Sequence, residues 1–240
     1  MKIKVYAICW NEEILAPYFL KHYKQYTDEI VVYDNMSTDA TCEILKDCEI
    51  RKYDTNEKIR DDIYLNIKNE AWKETIGSAV DWVIICDMDE LIYSTTLLAA
   101  LQKAKEEGYT IIKPQGYEMM GNSIPTTSGQ IYCEFNQGVE DISYSKPCII
   151  DPNKIESINY APGCHSAKAN GIVNILETSD IRLLHYKYFD LDFVLNRYST
   201  YETRLSDENL RNDWGTQYTW AVEEITNRYN AYINKMEKVV

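Results

Sequence analysis

The run from Asp81 to Tyr93, DWVIICDMDELIY, constrains the fold more than any other part of this chain. Trp82 to Cys86 is a bulky apolar stretch that predicts a buried strand, and its polarity switches abruptly at Asp87, Met88, Asp89 and Glu90. Burying such a carboxylate cluster without counter-charge is expensive, so it either faces water or holds cations. In an open α/β sheet, ligands collect at the carboxyl ends of the strands. Asp87 and Asp89 point the same way in extended chain, and oxygen ligands so placed suit Mg²⁺ or Mn²⁺ that also holds phosphate oxygens. The competing reading is an ordinary acidic loop in an acidic protein.

The segments before this run alternate in period. Lys2 to Trp10 predicts a first strand ended by Asn11, Glu12 and Glu13, and Ile14, Leu15, Tyr18, Phe19, Tyr23 and Tyr26 recur as in an amphipathic helix, with Pro17 in its first turn. Glu29 to Tyr33 predicts a second strand, broken by DNMSTDAT, where Ser37 or Thr38 can cap a short helix. A weak third strand covers Ile50 to Tyr53, and a helix is expected from Ile59 through Ile63, Ile67 and Ala71. After the central run, Thr95 or Thr96 opens a helix over Leu97 to Glu107, Gly108 stops it, and Tyr109 to Lys113 returns to strand. Such strand and helix alternation predicts an α/β fold, a mostly parallel central sheet flanked by helices.

Beyond Pro114 the pattern loosens around Gly116, Gly121, Pro125, Gly129 and Gly138, which suits a substrate-facing region. Lys154 to Tyr160 suggests a short strand, Ile181 to Leu184 a strand running into His185, and two helices follow. With no internal repeat or low-complexity linker, residues 1–240 are expected to form one domain, with 1–113 and 114–240 as its two halves.

A net charge of −13 argues against a nucleic-acid backbone as partner, although a nucleotide can bind where a metal and local cations offset the field. The cysteines lack any C-x-x-C pair, and Cys9, Cys86 and Cys148 lie in apolar runs, a pattern expected of reduced, cytoplasmic chemistry. No signal peptide or apolar run near 18 residues is present, which leaves only peripheral contact with the inner face of a membrane open.

Clusters after the first, second and fourth strands are thus expected at one end of the sheet. Asp34 can accept a hydrogen bond from a base N–H or a ribose hydroxyl, while Asp89 holds a metal between phosphates. No G-x-G-x-x-G or P-loop pattern occurs, so diphosphate charge falls to metal and side chains, with Arg60 and Lys58 as candidates or as plain surface residues. Of the three histidines, His22 reads as structural. His165 in APGCHSA and His185 in RLLHYKY border apolar segments, where His185 can complete a mixed Asp/His site for Mn²⁺ or serve as a buried, hydrogen-bonded residue.

The pieces AICWNEE, IVVYDNMSTDAT, VIICDMDEL, GCHSA and LLHYKY, in this order, resemble family 2 glycosyltransferases of the GT-A fold. They are most similar to the metal-dependent bacterial branch that adds sugars to cell-surface polysaccharide or lipopolysaccharide. The resemblance implies a UDP-linked sugar donor, a glycan or glycolipid acceptor and Mn²⁺ or Mg²⁺. It implies donor contacts from Cys9, Trp10, Asn11, Glu13, Asp34, Asn35, Arg60, Asp87, Met88 and His165, with Asp89 and His185 on the metal. TNEKIRDDIY stands where the family carries a glycine-rich stretch. A base must take the proton of the attacking hydroxyl in an inverting transfer; Asp141 is the first candidate, then Glu140 and Glu118, and retention stays open. The alternatives are nucleotidyl transfer to a sugar phosphate, which releases pyrophosphate, and a carbohydrate-binding protein built on 20 tyrosines and 5 tryptophans.

Overall fold

The computed structural model describes residues 1–240. The chain runs β1 (Ile3–Cys9), α1 (Ala16–Tyr23), β2 (Ile30–Asp34), α2 (Thr41–Ile44), β3 (Glu49–Lys52), α3 (Asp61–Glu70), β4 (Trp82–Asp87), β5 (Glu90–Tyr93) and α4 (Leu97–Glu106). It continues through β6 (Ile111–Met120), β7 (Gln137–Glu140), β8 (Ile149–Ile150), β9 (Ile155–Ser157), β10 (Asn170–Gly171), β11 (Ile175–Tyr188), α5 (Leu191–Arg204), α6 (Asp207–Arg211), α7 (Val222–Ile233) and β12 (Glu237–Lys238). β9 and β10 form a separate pair, and the other strands make one sheet.

The first four strands are parallel in the order β3, β2, β1, β4. Their carboxyl ends therefore lie together, as the sequence pattern predicts for a mostly parallel, helix-flanked α/β sheet. Both faces are covered, which explains the continuous apolar character of β4. Trp82, Ile84 and Cys86 enter a core of 34 buried residues on one face, while Val83 and Ile85 enter a second core with Tyr6, Val31 and Trp72.

The second half departs from simple alternation. The strand expected at Tyr109 to Lys113 passes through Pro114 to Met120, and it does not pair with β4, because the two-residue β8 lies antiparallel between them. One edge of β6 takes β8 and then β7; the other pairs in parallel with the 14-residue β11. β5, a strand the sequence reading did not separate from the acidic run, pairs antiparallel with β11. Gly116 makes this crowded junction feasible, because a Cβ there would lie 2.2 Å from the Tyr144 carbonyl carbon. α2 is opened by Asp39, whose Oδ1 accepts from Thr41 N–H at 3.0 Å, whereas Ser37 and Thr38 bond to Asn11 instead of capping it. No helix is long and apolar enough to cross a membrane, and all the cysteines are free.

His22 is fully buried on α1, as its structural reading requires. One ring nitrogen lies 3.0 Å from the Ile92 carbonyl and Nδ1 has no partner. Burial pushes its pKa down to about 4. Below about pH 6.5 the unfolded chain binds a proton that the folded one refuses, so stability present above that pH is lost as pH falls toward 4. The loss expected from this group is about 3 kcal/mol. Denaturant midpoints at pH 7 and pH 4.5 check it: His22→Gln should show a smaller difference between the two pH values than the unaltered protein.

Candidate active site

A cavity of about 540 Å³ opens at the carboxyl ends of the parallel strands. β4 supplies its centre through Asp87, Met88 and Asp89; α3 contributes one wall, α5 another, and the stretches around Tyr144, His165 and Trp214 to Trp220 close the rest. Six Lys or Arg and six Asp or Glu line it, so the acidity of the chain as a whole does not extend into this space.

The two aspartates are held differently. Asp87 Oδ1 lies 2.7 Å from the Lys68 ammonium and Oδ2 lies 3.7 Å from Lys146. Burial opposes its charge, but Lys68 and then Lys146 outweigh this and keep its carboxyl below the usual range. Lys146 is paired in turn at 2.5 Å with Glu90, which is buried beneath the site instead of facing the ligand space. Asp89 Oδ2 lies 3.4 Å from His185 Nε2 and 3.6 Å from Arg197. Burial works against ionisation here too, yet His185 and Arg197 hold its carboxyl well below the ordinary value.

His185 reaches Asp89 because of strand register. β11 sets it beside Glu118 of β6 and Glu90 of β5. Its Nδ1 lies 2.8 Å from Glu118 Oε1, and its ring stacks on Tyr144 with centroids 4.0 Å apart. Burial lowers the imidazole pKa, but Glu118 and Asp89 outweigh it and bring it up to about 10. The ring is thus clamped, with Nε2 presented to Asp89. A carboxylate behind one ring nitrogen is the arrangement that orients histidine ligands of metals.

The other anticipated residues separate into those that meet the cavity and those that shape it. Cys9, Trp10, Met88, Asp141 and His165 line the cavity with Asp87, Asp89 and His185. Asn11, Glu13, Asp34, Asn35, Arg60, Glu118 and Glu140 do not line it. Asp34 is buried, accepting from Ser37 N–H at 3.1 Å and from the Cys9 thiol at 3.6 Å. Asn35 accepts from Thr55 N–H at 3.2 Å and donates to Tyr64 at 3.3 Å. Asn11 accepts from Thr38 N–H at 2.8 Å and Glu13 from Ala40 N–H at 3.1 Å, so both join the loops after β1 and β2. Arg60 folds back on Asp62 at 2.6 Å, Lys58 donates to the Thr203 carbonyl at 3.1 Å, and Glu140 is exposed at the end of β7.

Asp141 caps a short 3-10 turn, Ile142–Tyr144, by accepting from Ser143 N–H at 2.9 Å. Its other oxygen accepts from the Tyr232 hydroxyl at 2.9 Å, with Arg228 at 3.6 Å. Burial raises its pKa, but these contacts outweigh it and hold the carboxyl below its usual range. His165 rests against the Ser143 carbonyl, and burial, then the Lys146 charge, lowers its pKa and favours neutral imidazole.

Several lining residues carry no conspicuous signal in the sequence. Glu12, buried, accepts from both terminal nitrogens of the Arg197 guanidinium. Burial would discharge Arg197, but Glu12 keeps it charged. Arg197, Tyr201 and Arg204 follow spacings of four and three along α5, one stripe of that helix turned to the cavity. That stripe was the available signal; the stronger apolar stripe of Leu191, Val194, Leu195 and Tyr198 masked it. Asp61 lies at the start of α3 facing the cavity, its pKa pushed up to about 6 by burial.

Residues 5–155 match the model of Glycosyl transferase family 2. The chain belongs to that family. Solved structures to which it is similar include three of S. aureus TarS. S. aureus TarS is 16% identical, with 85% of this chain and 39% of that one covered at a TM-score of 0.45. For S. aureus TarS 1-349 the values are 17%, 83%, 63% and 0.47. For S. aureus TarS 1-349 in complex with UDP-GlcNAc they are 16%, 85%, 66% and 0.45. The chain therefore spans less than two thirds of each of these chains. No curated protein matches its sequence.

Proposed function

We propose that this glycosyltransferase moves a sugar from a nucleoside-diphosphate donor, UDP-linked, to a hydroxyl of a glycan or glycolipid at a cell surface. The observation that carries the reading is that Asp89, just past the end of β4, and His185 of β11 meet in the lining of the cavity, with buried Glu118 behind the imidazole. Asp89 and His185 fit a divalent ion. They offer one oxygen and, once a bound cation displaces the Nε2 proton, one imidazole nitrogen; the two atoms lie 3.4 Å apart, with Glu118 fixing the ring from behind. No third His, Cys, Asp or Glu joins them into a larger ligating group. Two protein donors suit Mn²⁺ or Mg²⁺, which fill their shells with water and phosphate oxygens, and the imidazole favours Mn²⁺. When bound, such an ion supplies charge stabilisation to a departing diphosphate.

The chain's own groups account for the rest of the transfer. Residues 1–113 hold most of the nucleotide and 114–240 hold the acceptor, except that β11 and α5 carry His185, Lys187 and Arg204 across to the donor side. Lys187 is 92% buried and lines the cavity between the rings of Tyr198 and Tyr218, 4.8 Å and 4.7 Å from their centroids. With no carboxylate bridged to it, Lys187 offers its charge to the diphosphate as the anomeric bond breaks. Asp141 takes the proton of the attacking hydroxyl. Of the three carboxylates considered for that role it alone reaches the cavity, and it is held ionised.

Calorimetry and mass spectrometry test this reading. A panel of nucleotide sugars with and without Mn²⁺ should yield transferred sugar and free nucleoside diphosphate only with the ion. Pyrophosphate release would favour nucleotidyl transfer, and glycan binding indifferent to nucleotide and metal would favour a binding protein. Glu118→Gln should retain the fold and lower Mn²⁺ affinity about 10- to 100-fold, as expected when a ligating histidine loses its carboxylate. Titration of Mn²⁺ into the nucleotide-bound protein measures this directly.

A further inference from the structure

At the end of the cavity formed by Trp10, Tyr53, Tyr64 and Arg204, two polar atoms have no partner in the protein. The Tyr53 hydroxyl and Nη2 of Arg204 are both buried and unsatisfied, and both side chains line the cavity. Arg204 is 7% exposed. Its Nε donates to the Glu57 carbonyl at 2.8 Å, and its guanidinium carbon lies 3.1 Å from the centre of the Trp10 ring. The fork is therefore fixed by backbone and packing, whereas Lys68, Lys146, Arg197 and Arg228 are each fixed by a carboxylate. Tyr64, Tyr201 and Tyr53 surround it, and the rings of Tyr53 and Tyr64 meet edge-on at 6.1 Å. Buried donors without acceptors are rare because each carries the full cost of desolvation. A ligand that brings an acceptor to this place removes that cost.

We propose that Arg204 and Tyr53 read the edge of the donor's nucleobase and select a keto edge, a carbonyl beside a ring N–H as in uracil, over bases that place an amino group there. The inference rests on the nucleoside-diphosphate reading above and adds the residues that choose among nucleotides. A guanidinium can only donate, so the base atom facing Arg204 must accept, as a carbonyl oxygen does. The Tyr53 hydroxyl both donates and accepts, so it can take the ring N–H that adjoins the carbonyl in uracil. Cytosine and adenine set an exocyclic amino group opposite the guanidinium, and two donors then face each other with neither satisfied. The surrounding aromatic rings offer flat apolar surface for a planar base. Diphosphate charge is met elsewhere, around Asp89.

Calorimetric titration of UDP, CDP and ADP in the presence of Mn²⁺, on the unaltered protein and on Tyr53→Phe and Arg204→Lys, tests this. The unaltered protein should bind UDP at least about tenfold tighter than CDP or ADP, the sense expected of a site built to satisfy specific polar groups. Each variant should lose about tenfold in UDP affinity while CDP and ADP change less than about twofold, so that the preference collapses. Tyr53→Phe removes one oxygen and keeps the ring, so its thermal midpoint serves as the control for folding. Equal weakening of all three nucleotides would overturn the inference and make Arg204 a phosphate or packing residue. An unchanged preference in both variants would overturn it as well, while leaving the donor reading intact. Failure of the unaltered protein to bind any of the three would remove the donor reading and this inference together.

Discussion

Asp89→Asn is expected to reduce sugar transfer by about 10²- to 10³-fold or more, the scale on which loss of a single group that stabilises developing charge is felt. The carboxylate stands between His185 Nε2 and Arg197, so the amide removes an anionic oxygen from the proposed ion and leaves Arg197 facing a neutral group. Some stability goes with it, because Asp89 is held ionised in the folded state by those neighbours, and rates must be compared on folded protein. His185→Ala should act in the same direction by removing the nitrogen donor. The two changes should also be non-additive in transfer rate, since groups that act on one ion fail as a unit. Mn²⁺-dependent UDP binding, measured by calorimetry, should fall with each. Transfer at the unmodified rate in both variants would return His185 to the role of a buried, hydrogen-bonded residue.

Asp141→Asn should lower turnover by about 10²-fold or more while nucleotide affinity stays nearly unchanged, as for a lost general base. The geometry gives this prediction its selectivity. Asp141 sits beyond the end of β7, held by Ser143, Tyr232 and Arg228, all in the acceptor half, whereas Asp87 and Asp89 are held by Lys68 and His185 across the cavity. Initial rates at saturating donor, with a verified acceptor, separate the two effects. Near-normal turnover would transfer the role to another cavity carboxylate. Asp61 would then be the next to replace, because its pKa near 6 suits proton exchange at neutral pH.

The parallel half of the fold was legible because each strand there is short, apolar and terminated by polar residues. The run from Trp82 to Asp87 became β4 with its boundary at the aspartate, and Gly108 ended α4 with φ at 79°. β5 was hidden because Glu90 opens it as a buried acid, and only the Lys146 partner, far along the chain, makes that burial tolerable. The same limit applies to the site. Asp87 and Asp89 announced themselves by local pattern, but Glu12 depends on Arg197, Asp87 on Lys68, and His185 on Glu118. Those pairings are consequences of register and helix packing, which a linear pattern does not carry. Asp34, by contrast, is conspicuous in sequence and is engaged with its own turn in the structure.

A crystal structure with UDP and Mn²⁺, the ion located by the anomalous signal of manganese, decides whether Asp89 and His185 share one ion. One ion is expected in the cavity, with Asp89 oxygen and His185 Nε2 at about 2.0 to 2.3 Å and diphosphate oxygens completing its shell. Manganese bound elsewhere, or UDP seated in the cavity with neither side chain on the ion, would contradict it.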